Sequence, residues 1–371
     1  MKIAIDASTL STQGGPRAYL LGLLEAMMRI DSDNQYLLIY NDPVHLGRFP
    51  AALERVLPGK SPLARLRREH ILLPALCKRE KVDLLHCPKS SIPAFSPCPV
   101  VVTLHDLIPL DFPQFETFAA RCYWRMHIPL AVRRSNRIIT ISEYARRGIM
   151  ERFRVSPDRI DVIMQGIDRT MGLPRDPAEG ELIRSRYGLQ NGYILYVGTI
   201  QPRKNLTTLV AAYAGLDPQL RQGRPLVIVG RRGWMTEELD QAIVRCGIEQ
   251  EVIFTGFVAD EELPHLYDGA AVAAYLSHCE GFGRPPLEAM TCGIPVLVSD
   301  TGAIPEVVGD AGLTVDHTSS SAVSAALTRI LTDHALAEQL RHKGRERARL
   351  FDWDEAAHQT ISSYQATVRE Q

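Results

Sequence analysis

The sequence predicts an α/β protein built from two doubly wound, Rossmann-like parallel-sheet domains in tandem. Three observations carry that prediction. The chain has 371 residues, more than one ordinary domain of roughly 150 residues accommodates. Short apolar runs bounded by turn residues recur through both halves and alternate with stretches of helical spacing, as βαβ units require. Apolar residues make up 45% and charged residues 23%, a globular composition that excludes disordered, collagen-like and disulfide-scaffold chains.

In the first half the runs lie at 2–8, 35–40, 82–87, 99–106, 137–142 and 159–164, and each reads as a buried parallel strand. A helix is predicted over 18–30, where Leu20, Leu21, Leu24, Met27 and Met28 recur with helical spacing. Residues 166–192 are rich in glycine, proline and charge and read as the linker. The second half repeats the pattern at 193–198, 225–230, 251–256, 271–277, 294–300 and 311–316, and after Asp316 the chain reads as helical. The expected division is therefore 1–175 and 176–350, with a helix at 351–371 packing back on the first domain. Two such sheets facing each other leave a cleft at the carboxyl ends of their strands, where ligands bind in this architecture.

The charge is near balance, with 42 basic and 43 acidic residues, which argues against a nucleic-acid-coating protein. Residues 1–180 nevertheless carry 25 basic and 19 acidic side chains, net +6, leaving net -7 for the rest. The seven cysteines are scattered without a C-x-x-C pair, so neither a disulfide framework nor a zinc site is expected and a reducing cytoplasm fits. MKIAIDAST reads as a strand and not as a signal peptide, and no apolar stretch is long enough to span a membrane.

Four segments carry candidate chemistry. In HCEGFGRPPLEAMTCGIPVLVSDTGAIPEVV, residues 278–308, Glu280 and Glu288 flank a glycine-rich turn that opens a helix. Free N–H groups at such a turn suit a phosphate, and carboxylates on either side suit sugar hydroxyls, although both glutamates could equally cap the helix or face water. In VGTIQPRKNLTTLV, residues 197–210, Arg203 and Lys204 precede a helix, an unfavourable place for cations; they are either a solvated loop pair or the partners of an anion such as a pyrophosphate. Gly14 and Gly15 follow the first strand, ahead of a helix with Pro16 in its first turn. His105 ends the strand in TLHDLIPLDFP, where it could serve a substrate hydroxyl, carry a proton or simply bond a local carbonyl.

Together, in this order and spacing, these segments resemble the family 4 retaining glycosyltransferases of GT-B fold through nearly the whole chain. The resemblance implies roles for individual residues. Glu280 would contact the transferred sugar and Glu288 the ribose, with the Phe282 and Gly283 amides near the hexose. Lys204 and Arg203 would neutralise the leaving diphosphate, which Gly14 and Gly15 would approach from the other domain. His105 would lie near the donor sugar, and the Val258 backbone would read the base. Pro285 has no N–H, so the amides of Arg284 or Leu287 must serve any phosphate contact there, and Gly198-Thr199-Ile200 lacks a basic residue some members have.

The implied reaction transfers a hexose, mannose first, from a nucleotide-diphosphate sugar to a glycan or lipid-linked glycan in cell-surface polysaccharide assembly. It would proceed with retention and with neither a metal nor a cofactor beyond the nucleotide-sugar co-substrate. The alternatives are a UDP-hexose or GDP-rhamnose donor, or a nucleotide-sugar 2-epimerase of the same fold. A dinucleotide oxidoreductase is discounted because the first strand leads to Gly14-Gly15-Pro16 and not to G-x-G-x-x-G. Arg65, Arg67, Arg68, Lys78, Arg79 and Lys81 flank the apolar run ILLPAL, and Arg133, Arg134, Arg137, Arg146 and Arg147 follow. They form either a solvated helix face or a peripheral contact with the anionic inner face of the cytoplasmic membrane.

Overall fold

A computed structural model describes residues 1–12, 14–59 and 61–370. They divide into a first unit, which runs to Gly166 and resumes at Phe351, and a second, Ile167–Leu350. In the first unit β1 (Lys2–Asp6), β2 (Gln35–Tyr40), β3 (Leu53–Val56), β4 (Leu84–Cys87), β5 (Val100–Thr103), β6 (Arg137–Thr140) and β7 (Ile160–Val162) form one sheet. All its pairings are parallel, in the order β3-β2-β1-β4-β5-β6-β7. β1, β4 and β5 are buried almost throughout because helices cover both faces, which explains their unbroken apolar runs. The strand order reverses between β1 and β4, and that reversal opens a crevice at their carboxyl ends.

β3 is the strand the sequence pattern did not announce. Its LERV is half-exposed at the sheet edge and carries two charges, one of which, Glu54, accepts a 2.8 Å bond from Tyr40 Oη. The helix Gly15–Ile30 begins three residues before the predicted one. It packs against the helix Trp353–Arg369, where a Cβ at Gly22 would lie 2.3 Å from the Trp353 ring. The latter helix is tied to the sheet by a fully buried chain of polar contacts. Tyr364 Oη meets His86 Nδ1 at 2.6 Å, and His86 Nε2 meets Thr103 Oγ1 at 2.8 Å. Burial, with His105 nearby, lowers the His86 pKa to about 3, so the ring is neutral at working pH.

Arg68 corrects the basic-face expectation. It is 2% exposed and its guanidinium grips Asp6, at the end of β1, with bonds of 2.6 and 3.2 Å. The cause is a π-turn over Arg68–Leu72 between the helices Pro62–Arg67 and Leu73–Arg79. The wider turn rotates Arg68 and Glu69 inward, out of the arginine row the sequence presents.

In the second unit β8 (Tyr193–Val197), β9 (Leu226–Val229), β10 (Val252–Gly256), β11 (Ala270–Tyr275), β12 (Val296–Ser299) and β13 (Leu313–Val315) form another parallel sheet. Its order, β10-β9-β8-β11-β12-β13, reverses between β8 and β11. The predicted linker is largely part of this unit, so the first unit closes at Gly166 and not at 175. Asp176 caps the helix Pro177–Arg186 by accepting from Ala178 N at 2.9 Å, and Arg175 forks onto Asp268 at 2.6 and 2.7 Å. The expected helical end appears as Ser320–Thr332, His334–Ala348 and Trp353–Arg369. Among the described residues no helix is long and apolar enough to cross a membrane.

Candidate functional site

The reversal between β8 and β11 brings together two loops that lie far apart in the sequence. After β8 the chain makes a 3-10 turn, Pro202–Lys204, and then enters a left-handed conformation at Asn205, φ 54°. Asparagine tolerates that conformation, and its buried amide fixes the loop, with Nδ2 donating to His317 O at 2.7 Å and Oδ1 accepting from Thr208 Oγ1 at 2.7 Å. The turn aims Arg203 and Lys204 at the loop after β11. There Arg203 Nη1 lies 2.8 Å from Glu280 Oε2, Lys204 Nζ pairs with Glu280 Oε1, and Ser277 Oγ donates to the same oxygen at 2.7 Å. The His278 amide bonds Arg203 O at 2.9 Å and so joins the loops through the backbone.

The three charged side chains are 13–15% exposed. Burial alone raises the Glu280 carboxyl, but the Lys204 and Arg203 charges outweigh it and hold the group at about 2, against an ordinary 4.5. Glu280 thus gives part of the reason for two cations beside a helix N-terminus. Two cations thus converge on one carboxylate at low exposure, an arrangement that suits a polyanionic ligand.

Glu288 lies in the helix Arg284–Thr291, which starts from Gly283 at φ 109°. Its Oε1 accepts from Arg284 Nε at 2.8 Å and its Oε2 from Tyr267 Oη at 3.1 Å, so each oxygen keeps a lone pair for a further donor. The Leu287 amide bonds Gly283 O at 3.4 Å and its side chain is fully buried. Of the two amides expected to serve a phosphate, Leu287's is therefore engaged within the helix. Phe282 and Val258 are buried at 4% and 6% exposure, Val258 just beyond the carboxyl end of β10.

Gly14, Gly15 and His105 belong to the first unit. Gly14, φ 91°, precedes the helix Gly15–Ile30, and Gln13 of the same motif lies outside the described residues. His105 is half-buried with Nε2 3.4 Å from Pro88 O, the local-carbonyl alternative. Burial lowers its pKa to about 4 although that carbonyl opposes the shift.

Sequence reading passed over Ser277, Asn205 and Gly302. The signal for Asn205 was its place directly after Arg203-Lys204. The signal for Gly302 was a glycine in the turn after the next strand. Gly302 has φ +64°, and a Cβ there would stand 2.7 Å from both N and O of Glu280. Gly302→Ala is expected to cost about 1–3 kcal/mol, read as a lowered urea midpoint with an unchanged slope.

Residues 19–170 match the model of Glycosyltransferase Family 4, and residues 183–347 that of Glycosyl transferases group 1. O-antigen chain mannosyltransferase B of Escherichia coli is 36% identical over 265 residues, covering 71% of this chain and 69% of that protein. The serotype-specific mannosyltransferase WbdA of Escherichia coli is 30% identical over 285 residues, covering 74% of this chain but 34% of that longer protein. Among solved structures, sucrose-phosphate synthase from Thermosynechococcus elongatus superposes with TM-score 0.80 at 23% identity over 100% of both chains. HepE of Anabaena, in complex with UDP and glucose, gives 0.77 at 21% identity over 99% of this chain and 100% of that one. These structural likenesses show a shared fold, the GT-B type with two Rossmann-like sheets. The chain belongs to the family 4 glycosyltransferases, with its group 1 domain in the second unit and its family 4 N-terminal domain in the first.

Proposed function

We propose that this glycosyltransferase moves mannose from a nucleotide-diphosphate mannose to a hydroxyl of a glycan or lipid-linked glycan, in the assembly of a cell-surface polysaccharide. The observation that carries the reading is the buried pairing of Lys204 and Arg203 with Glu280 at the β8/β11 crevice. The choice of mannose is supported by the two Escherichia coli relatives, which are mannosyltransferases.

In the proposed reaction the bond between the anomeric carbon and the diphosphate breaks, leaving negative charge on the phosphate. Lys204 and Arg203 are preorganised to stabilise that charge, the largest service a site of this kind renders. Because two cations are already built in, we assign the reaction no metal. Glu280, ionised at neutral pH, has no proton to deliver. The acceptor's proton therefore passes to the departing phosphate oxygen as the new C–O bond forms on the same face, which retains configuration. Once the diphosphate engages the cations, Glu280 is released to accept hydrogen bonds from the hexose hydroxyls.

Thermal melting with GDP-mannose, GDP-rhamnose and UDP-hexoses tests the donor. At a hundredfold excess over Kd a bound donor stabilises by about 2.7 kcal/mol, and GDP-mannose is expected to give the largest rise. Stabilisation by none of these nucleotides, or conversion of donor alone to its C2 epimer, sinks the assignment. Loss of transfer in EDTA that magnesium restores sinks the metal-free mechanism.

We also propose that the segment 62–79 rests on an anionic membrane at the cytoplasmic face. Leu63 and Ile71 are 78% and 61% exposed, beside the exposed Arg65, Arg67, Lys78 and Arg79, each cation being worth about 1 kcal/mol near such a surface. Flotation with phosphatidylglycerol vesicles is expected at low salt and not at high salt, and no flotation at low salt refutes the contact.

A further inference from the structure

A second polar cluster lies in the first unit, near the carboxyl ends of β1 and β4. Glu69 is 1% exposed. Its Oε2 pairs with Lys89 at 3.3 Å, while its buried Oε1 has no hydrogen-bond partner among the described residues. A carboxylate oxygen of Glu69 and one ring nitrogen each from His70 and His127 lie within 4.8 Å of one another. A buried acceptor left without a donor is costly unless a ligand supplies one.

The hydrogen-bond polarity of the two rings defines that ligand. His127 Nδ1 faces the Tyr123 carbonyl at 2.9 Å, so it donates there, and in that tautomer Nε2 is the acceptor. His70 Nδ1 receives the Ala94 amide proton at 3.1 Å, so its Nε2 carries the ring proton and donates. Beside the Glu69 acceptor, each ring thus keeps one nitrogen for a ligand, an acceptor on His127 and a donor on His70. A metal ion fits poorly, because His70 would have to lose its remaining ring proton to bind one, with the Lys89 ammonium nearby. An anion meets the Glu69 carboxylate. A hydroxyl suits all three groups, since it donates one hydrogen bond and accepts others, and neighbouring hydroxyls on a sugar ring suit them better. The Tyr123 ring, half-exposed, stacks on His127 at 3.8 Å and holds that imidazole in place.

We propose that Glu69, His70 and His127 bind vicinal hydroxyls of a sugar. Resting on the glycosyltransferase reading, that sugar is the terminal residue of the acceptor.

The test uses the full chain and methyl α-mannopyranoside, followed through the imidazole proton resonances of His70 and His127. Saturable shifts are expected, with affinity at least tenfold weaker in Glu69→Gln and in His127→Phe. The phenylalanine keeps a ring against Tyr123 but removes the acceptor, and it serves as the second variant should Glu69→Gln fail to fold. Stabilisation by GDP is expected to be unchanged in both. Absence of shifts up to the solubility of the glycoside overturns the proposal, as does a response of these resonances to zinc or manganese alone with none to the glycoside. Glycoside binding without any nucleotide-induced stabilisation supports this site while overturning the donor reading, so the two fail separately.

Discussion

Lys204→Ala is expected to lower the turnover of transfer by about 10²–10³-fold while leaving the protein folded. Lys204 is one of the two cations paired with Glu280 in the crevice at the ends of β8 and β11; the donor's diphosphate is already anionic when bound and gains charge as it leaves, so the loss falls on kcat and also raises the KM for the donor. The fold should survive because Glu280 keeps Arg203 at 2.8 Å and Ser277 at 2.7 Å. Stability as a function of pH gives a second readout. The folded Glu280 pKa of about 2 lies below the ordinary 4.5, so the cluster stabilises the protein fully above pH 4.5 and loses that contribution as pH falls towards 2. Without Lys204 the depression is smaller. The variant should therefore be least stable relative to the parent above pH 4.5 and converge with it in acid. Near-normal turnover by a folded Lys204→Ala protein would overturn the proposed role of this cluster.

Arg68→Ala is expected to destabilise the first unit by about 3–5 kcal/mol, the range for breaking one side of a buried ion pair. Arg68 makes two bonds to Asp6, a 3.0 Å bond to Leu57 O and a 3.2 Å bond to Ile39 O. Burial opposes ionisation of Asp6, yet the Lys89 and Arg68 charges hold its carboxyl well below the usual range. Truncating Arg68 leaves that carboxylate, which has no exposure at all, with Lys89 as its remaining charge partner. Hydrogen exchange under urea should show earlier opening of β1 and β2 with β8 and β11 unaffected. Asp6→Asn combined with Arg68→Met should recover much of the loss, because removing both charges spares the burial of one alone. Equal loss in the single and double variants would show that packing, not charge, is what Arg68 provides.

How much of this was legible depended on where each residue's partner lies. Nine of the strands announced themselves because both of their faces are covered, and the half-exposed edge strands β7, β10 and β13 kept enough apolar residues to be read, whereas β3, with Glu54 and Arg55 at a sheet edge, has no apolar run to read. Glu280, Glu288, Arg203 and Lys204 stood out as motifs, yet their mutual contacts did not. Lys204 and Glu280 are 76 residues apart, and only the order in which β8 and β11 pair makes them neighbours. Arg68 was read as one more arginine of a basic row because a π-turn leaves no mark in the spacing of charges. Glu69, His70 and His127 were passed over for the same reason, since the helix that supplies His127 is distant in sequence from the turn that supplies the other two.

The pairing of Tyr364 with His86, 278 residues apart, bears on how the chain matures during synthesis. Residues 167–350 are contiguous and can complete their sheet as they emerge from the ribosome. The sheet before them waits, since the helix that covers His86 is made only after the second unit has been translated. At about 5–20 residues per second the first unit stays unfinished for roughly ten seconds or more, with the polar groups around His86 uncapped. During that interval it is the part of the nascent chain most in need of a chaperone.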